Sequence, residues 1–446
     1  MTIPRSKSVL DRFLNLFTEV RSGEGISAVL LCFNIFLILT AYYSIKPVRE
    51  ALILAGGGAE LKSYMSAAQA ILLLGFVPLY SMLASRFPRR SLINIVTFFF
   101  AGCLGLFYIL AQVRIPLGVI FFIWVGIFSL MVTAQFWAFA NDLYTPEAGK
   151  RIFVIVAFGA SAGAVFGGFV AGRLIVPLGV YQLMLVSGVL LLLSLIFTNV
   201  VDSRQKKVII EAKRDDQIVE EPLKKARAFK LVFQNKYLLL IAFLILFINW
   251  VNTTGEYILG RTVSEAATRA ISSGEVGGLT EAEYIGKFYA DFFTVVNLIG
   301  LLMQLFIVSR VLKYLGIRIA ILFLPLIALG GYFIIAFLPM LSIVRIAKTA
   351  ENSTDYSLQN TVRHALFLPT TREEKYKAKQ AVDTFFWRAG DVLSAAVVAI
   401  GTNILAFHTK QFALVNIFLV LIWLGLGLMI GKENKRLTVK YNESGP

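Results

Sequence analysis

Two stretches of this chain hold cations inside otherwise apolar runs. In "SIVRIAKTAENSTDYSLQNTVRHALFL", residues 342–368, the side chains of Arg345, Lys348, Asn352, Asp355, Gln359 and Arg363 fall within an arc of about 80° when wound as a helix at about 100° per residue. Glu351 lies just beside the arc, and the small residues Ala347, Ala350, Ser353, Thr354, Ser357 and Thr361 occupy the opposite side. In "TAYYSIKPVREALIL", residues 40–54, Tyr42, Lys46, Arg49 and Glu50 share a face, and Pro47 is expected to kink it. Ammonium and guanidinium groups gathered on one face bind phosphate or carboxylate oxygens through charge-assisted hydrogen bonds. The chemistry expected is reversible anion binding. No nucleophile or acid–base constellation stands out, so an enzyme is not expected. The two histidines, His364 and His408, lack a second ligand at zinc spacing, and neither a metal nor a cofactor is expected. Cys32 and Cys103 sit in apolar runs and read as packing residues.

Other apolar runs carry the same kind of signal. Asn249, Asn252, Thr253 and Glu256 stand at i, i+3, i+4 and i+7; Lys287 and Asp291 form an i, i+4 pair; Asp383, Arg388 and Asp391 lie together, the last two at i, i+3. For Glu256, Asp383 and the Arg388–Asp391 pair an opposite charge is close at hand, and internal pairing accounts for them as well as function does. For Lys46, Arg49, Arg345, Lys348 and Arg363 the cations outnumber nearby anions in sequence, which points to an anionic ligand. Tyr42, Lys46, Arg49, Glu50, Asn252, Glu256, Arg345, Lys348, Asn352, Asp355, Gln359 and Arg363 are therefore the expected substrate-binding set, around a central, positively biased cavity. Asp291, Asp383, Arg388 and Asp391 are the expected gating or coupling set.

The elements that must position these residues are membrane helices. The chain has 446 residues, 57% of them hydrophobic and 16% charged, with a mean hydropathy of +0.74, far outside the soluble range. Apolar runs of about 20 residues recur, and only helices satisfy their own backbone in lipid. Twelve spans are expected, near 26–54, 61–85, 91–113, 117–140, 152–174, 178–200, 237–260, 286–309, 319–338, 342–367, 381–405 and 413–431. An N-terminal stretch spacing Leu10, Phe13, Leu14 and Phe17 on one face reads as an interfacial helix.

With the N-terminus inside, the segments "SRFPRRS", "EAGKR", 201–236, "SRVLKYLGIR", "TTREEKYKAK" and "KENKR" hold most of the 43 Lys and Arg, which places both termini in the cytoplasm. That bias explains the net charge of +16 without a nucleic-acid partner. The charged linker 201–236 separates two halves of six spans. Each half carries a basic loop with a turn residue, Pro88 or Gly316, after its second span. The expected architecture is an all-α membrane protein of two six-helix bundles, the major facilitator arrangement. Its parts are an N-terminal segment 1–25, bundles at 26–200 and 237–431, the linker, and a tail 432–446. A further insert, 261–285, is expected outside the membrane after the seventh span.

Three motifs have plain readings. "AGGGAE", 55–60, lacks the GK[ST] ending of a phosphate loop and reads as a turn. "GASAGAVFGGFVAG", 159–172, has the small-xxx-small spacing of close helix packing. "TTREEKYKAK" reads as a solvated loop.

The segment "YSLQNTVRHALFLPTTREEKYKAKQAVDTFFWRAGD" resembles, without a gap, the tenth-to-eleventh span signature of the ATP/ADP nucleotide transporters of plastids and intracellular bacteria, through Ser357, Leu358, Pro369, Glu373, Lys375, Lys377, Lys379, Ala381 and Asp383. "FWAFANDLYTPEAGKR" and "LNLFTEVRSGE" are similar to the family's fourth-span ending and N-terminal approach, and Arg49, Glu50, Ala51 and Leu52 stand where it has Lys-Asp-Thr-Leu. The sequence departs from the family at Arg363 and His364, which replace Lys and Glu, and at Asp391, which replaces Lys. Val125 and Gly126 lie where a fourth-span Glu is expected, and Asn252 replaces a seventh-span Glu, with Glu256 a turn later. The resemblance implies alternating-access transport of a nucleotide or similar phosphorylated anion by antiport. It further implies a monomer in a bacterial inner (cell) membrane, with Tyr42 or Phe386 stacking on a base. The alternatives are proton-coupled transport of another organic solute, with Glu50, Glu256 or Asp383 as proton site, and a receptor that does not transport.

Overall fold

The computed structural model of the 446-residue chain describes residues 9–15, 18–21, 24–86, 89–144, 146–212, 228–371, 373–374 and 378–443. Phe17, Pro88, most of the 201–236 linker, and Arg372, Lys375 and Lys377 of the basic tenth-to-eleventh loop lie outside the described residues. Every regular element among the described residues is helical. Among those residues, ten helices are long and apolar enough to cross a membrane, one of which, Gly25–Phe76, runs through the first expected span and into the second. The helix from Leu341 onward is not among the ten, because its polar face dilutes the apolar signal; periodicity rather than hydropathy reveals it.

The chain divides into two compact units. Unit 1 holds residues 1–52, 76–221 and 282–294, and unit 2 holds 53–75, 222–281 and 295–446. Each unit thus includes one short segment from beyond the boundary drawn at the linker.

In unit 1, α1 (Val9–Leu14) precedes α2 (Gly25–Arg86), whose residues 53–75 belong to unit 2, and α3 (Arg89–Gln112), α4 (Gly118–Leu143), α5 (Pro146–Leu178) and α6 (Gln182–Ala212) follow. Leu14 is buried while Phe13 is exposed, and the Asp11 carboxylate accepts a 3.0 Å hydrogen bond from the Gly25 amide, satisfying a free donor at the start of α2. Pro47, expected to kink the first span, lies within α2; the non-helical backbone falls instead at Gly58 (φ 74°, ψ −176°). A positive φ there is open to a residue without Cβ, so the expected glycine turn shrinks to a single joint.

The small-residue run behaves as expected. A Cβ on Gly159 or Gly167 of α5 would lie 2.5 Å from the carbonyl oxygen of Cys32 or Thr40 on α2. Gly163, between them, abuts the Phe36 backbone. Glycines one turn apart therefore let two helix backbones touch. Rings complete the core: Trp124 stacks on Phe128 at 5.3 Å and meets Phe107 edge-on at the same distance.

Unit 2 contains α7 (Ala228–Gln234), α8 (Lys236–Ser272), the later part of α9 (Glu281–Phe306), α10 (Val308–Tyr314), α11 (Gly316–Phe337) and α12 (Leu341–Thr354). After α12 come a π-helical turn at Asp355–Gln359, α13 (Asn360–Ala365), α14 (Lys379–Ala381), a second π turn at Val382–Phe386, α15 (Trp387–Asn403) and α16 (Thr409–Glu443). The Asn235 side chain caps α8 by accepting from the Tyr237 amide at 2.9 Å. That helix runs on to Ser272, so the expected outer insert is mostly a helical extension, and only the short stretch to Glu281 is a connection. Ser264–Ser272 keep helix-forming spacing, and Gly274, Gly277 and Gly278 at positive φ supply the turn. On α15, Gly390 brings its backbone against Trp250 and Leu246 of α8.

Candidate functional site

Among the described residues of unit 2, a group of charges is built around Lys348. Its ammonium Nζ lies 2.9 Å from Glu351 Oε1 and donates to Asn252 Oδ1 at 2.9 Å. Glu256 Oε1 is 3.6 Å away, and its Oε2 lies 3.9 Å from Lys62 Nζ. Asn352 Nδ2 donates to Glu256 Oε1 at 3.0 Å, and the Tyr332 hydroxyl donates to Glu351 Oε2 at 2.8 Å. The Lys348 side chain is 1% exposed, that of Glu351 6% and that of Glu256 22%. Burying an ion without a partner is prohibitive, so a lysine this deep requires its carboxylates. Three helices converge on it: α12 supplies Lys348, Glu351 and Asn352 one turn apart, α8 supplies Asn252 and Glu256, and α11 supplies Tyr332. Gly255 makes the approach possible, since a Cβ there would meet Lys348 Nζ at 3.0 Å and would overlap the Tyr332 hydroxyl.

The structure thereby corrects the reading of Lys348 as a cation in surplus. Its neutralising partner Glu256 lies far away in sequence, and Glu351, only just outside the expected arc, reaches it at i+3. Asn252, Glu256, Lys348 and Asn352 are brought together. Arg345, a turn before Lys348 on α12, is partly exposed. Asp355 and Gln359 are buried within the π turn. Asp355 Oδ1 and both polar atoms of the Gln359 side chain have no hydrogen-bond partner among the described residues. The wider turn advances each residue by less than 100°, and π turns often mark functional sites. It also breaks the uniform arc, so Arg363 stands with other neighbours: its guanidinium covers the Trp387 ring at 4.5 Å and donates to Asn360 Oδ1 at 3.0 Å.

A second polar group joins α8 to α15. Asp391 accepts from Asn249 Nδ2 at 2.8 Å and from Thr253 Oγ1 at 2.9 Å, and lies 3.4 Å from Arg388. Asp383, expected to gate, pairs with Lys379 on the same helical run and is exposed.

In unit 1, α2 carries the other expected cations. Lys46 lies over Phe293 at 4.0 Å and Tyr43 at 5.0 Å, with the Tyr42 ring at 6.0 Å. Arg49 pairs with Glu50 and stacks on Phe122 at 4.8 Å. Asp291 and Lys287 form an exposed pair at 3.4 Å.

Sequence reasoning missed Lys62, Glu60, Tyr257 and Tyr332. Tyr257 donates to Glu60 Oε1 at 2.8 Å, and both Glu60 and Lys62 follow the glycine joint at Gly58. Glu60 falls in the stretch read as a turn, and Lys62, at the very start of the expected second span, has no charged neighbour at helical spacing to mark it. Tyr332 sits in a strongly apolar helix with no polar periodicity.

Membrane-spanning helices that bury charge clusters while exposing Phe98, Phe99, Phe337 and Phe418 define a multi-pass membrane protein. Residues 26–349 match the Major Facilitator Superfamily, and the chain belongs to that family. Over 341 residues, 66% of this chain, it is 22% identical to ADP,ATP carrier protein 1 of Chlamydia pneumoniae, and the match spans 63% of that carrier's length. Among solved structures, a bacterial homologue of the iron transporter ferroportin in the inward-facing state has a TM-score of 0.63 at 14% identity, covering 91% of this chain and 98% of that one. A POT family transporter in complex with 5-aminolevulinic acid has a TM-score of 0.62 at 13% identity, covering 92% and 96%. The nucleoside transporter NupG has a TM-score of 0.61 at 13% identity, covering 92% and 99%. At these identities the likeness shows the fold.

Proposed function

We propose that this chain is a secondary transporter for a nucleotide or a similar phosphorylated anion, working by alternating access and as an exchanger. The observation that carries this reading is the Lys348 cluster, where two ammonium groups, Lys348 and Lys62, and the Asn352 amide converge on one carboxylate, Glu256. Donors set to hold a small oxyanion fit a phosphate group as well as a carboxylate. The similarity to an ADP,ATP carrier and the tenth-to-eleventh segment support the same substrate class. Arg363, over the Trp387 ring, is a further cation of unit 2 for a polyanionic solute. Uptake of labelled ATP into liposomes, with and without internal ADP, tests the proposal: uptake stimulated by internal ADP is expected, and the absence of uptake for any nucleotide would sink the substrate class.

One observation favours a second reading. The buried Asp355 has a carboxyl oxygen without a hydrogen-bond partner among the described residues, and membrane-buried carboxyls are proton-site candidates. Proton-coupled movement of an organic solute would then appear as uptake driven by a proton gradient without internal substrate.

A further inference from the structure

We infer that Glu256 is an internal counter-anion, seated where the transported anion binds and displaced by it. The inference rests on the reading above and assigns Glu256 a role other than that of substrate ligand. Lys348 presents almost no surface to an incoming solute, its side chain being 1% exposed. A ligand therefore reaches it only by replacing a group already there. The two carboxylates on Lys348 are not equivalent. Glu351 lies 2.9 Å from the ammonium, is 6% exposed and is tied from behind by the Tyr332 hydroxyl at 2.8 Å. Glu256 lies at 3.6 Å, is 22% exposed and stands on a different helix from the lysine. Glu351 is therefore the permanent partner and Glu256 the exchangeable one.

The seat of Glu256 explains what would take its place. Its two oxygens face Lys348 Nζ, Lys62 Nζ and Asn352 Nδ2. A phosphate oxygen pair meets the same three donors with greater negative charge and more acceptor sites. A neutral solute brings no charge to replace that of the carboxylate, and loses the competition. The exchange also keeps the buried lysine compensated in both states, which avoids the penalty of an unpaired ion in a low-dielectric interior. Gly255, immediately before Glu256, leaves the carboxylate's helix close to Lys348 without a Cβ in the way. Glu256 thus serves as the protein's own surrogate for the anion.

Removing the competitor should tighten binding. Purified full-length wild type, E256Q, E351Q and the double variant K348M/E256Q are titrated with ATP, inorganic pyrophosphate and adenosine, with affinity read from ligand-dependent thermal shifts and folding from size-exclusion profiles. E256Q is expected to bind ATP and pyrophosphate about five- to tenfold more tightly than wild type, with adenosine unchanged. E351Q is expected to show no such gain, and K348M/E256Q to lose it. Wild type that binds ATP, with an E256Q that binds it equally or more weakly, overturns the counter-anion role and leaves the anion reading standing. Folded wild type and E256Q that bind neither ATP nor pyrophosphate overturn both. Should E256Q not fold, E256D, which withdraws the carboxylate by one methylene, carries the same test: a smaller gain in ATP affinity supports the inference, and no gain overturns it.

Discussion

Lys46 in unit 1 and Lys348 in unit 2 are both buried lysines on helices, and their surroundings differ in kind. Lys46 is ringed by the aromatic faces of Phe293, Tyr43 and Tyr42, whereas Lys348 is held by Glu351, Glu256 and Asn252. An aromatic face attracts a cation through its quadrupole and does not cancel its charge. A carboxylate does cancel it, so a ligand must compete for the lysine. Two lysines that look alike in sequence thus have different groups drawn up to them: ring faces lie over Lys46, and two carboxylates lie against Lys348.

The largest effect separating the two is expected from Lys348→Met. It strands Glu351 as a buried charge and should destabilise the purified protein by about 3–5 kcal/mol. Adding Glu351→Gln in the same chain should recover part of that loss, read as a positive coupling in a thermal-melt double-mutant cycle. Lys46→Met should lower stability by at least about 1 kcal/mol, the scale of a cation–aromatic contact; no loss in thermal melts would remove the rings from what holds this lysine. Thr253→Val removes one donor to Asp391 and should also reduce stability by about 1 kcal/mol, leaving nucleotide affinity unchanged if that group joins helices rather than binding solute. Lys287→Ala breaks an exposed i, i+4 pair and should shift stability by less than about 0.5 kcal/mol. A larger shift in melting temperature would show that the α9 pair does more than decorate a surface.

Much of the fold is legible in the sequence because membrane helices carry a direct signal. An apolar run of sufficient length has few alternatives in lipid, and the glycine spacing of 159–172 announces a close helix approach. The α12 helix is legible for a different reason: its polar residues repeat with helical period although its hydropathy is low. The π turn at Asp355–Gln359 is not legible, because one extra residue in a turn is a response to packing rather than to local propensity. Nor is the length of α8, whose last turns look like an exposed insert. The joint at Gly58 is readable as a turn, but not as a joint so tight that Glu60 becomes a helix residue.

Composition and periodicity alone establish that this is an all-helical membrane protein, which of its helices are polar, and that cations cluster on α2 and on α12. Which of those cations are already matched is settled by packing. The charge state a buried lysine can tolerate depends on what lies within a few ångströms of it, and for Lys348 those neighbours come from α8 and α12, with Tyr332 of α11 bracing one of them. A helical period puts a charge on a face; the faces that meet it supply its partners, and only the packed structure brings those faces together.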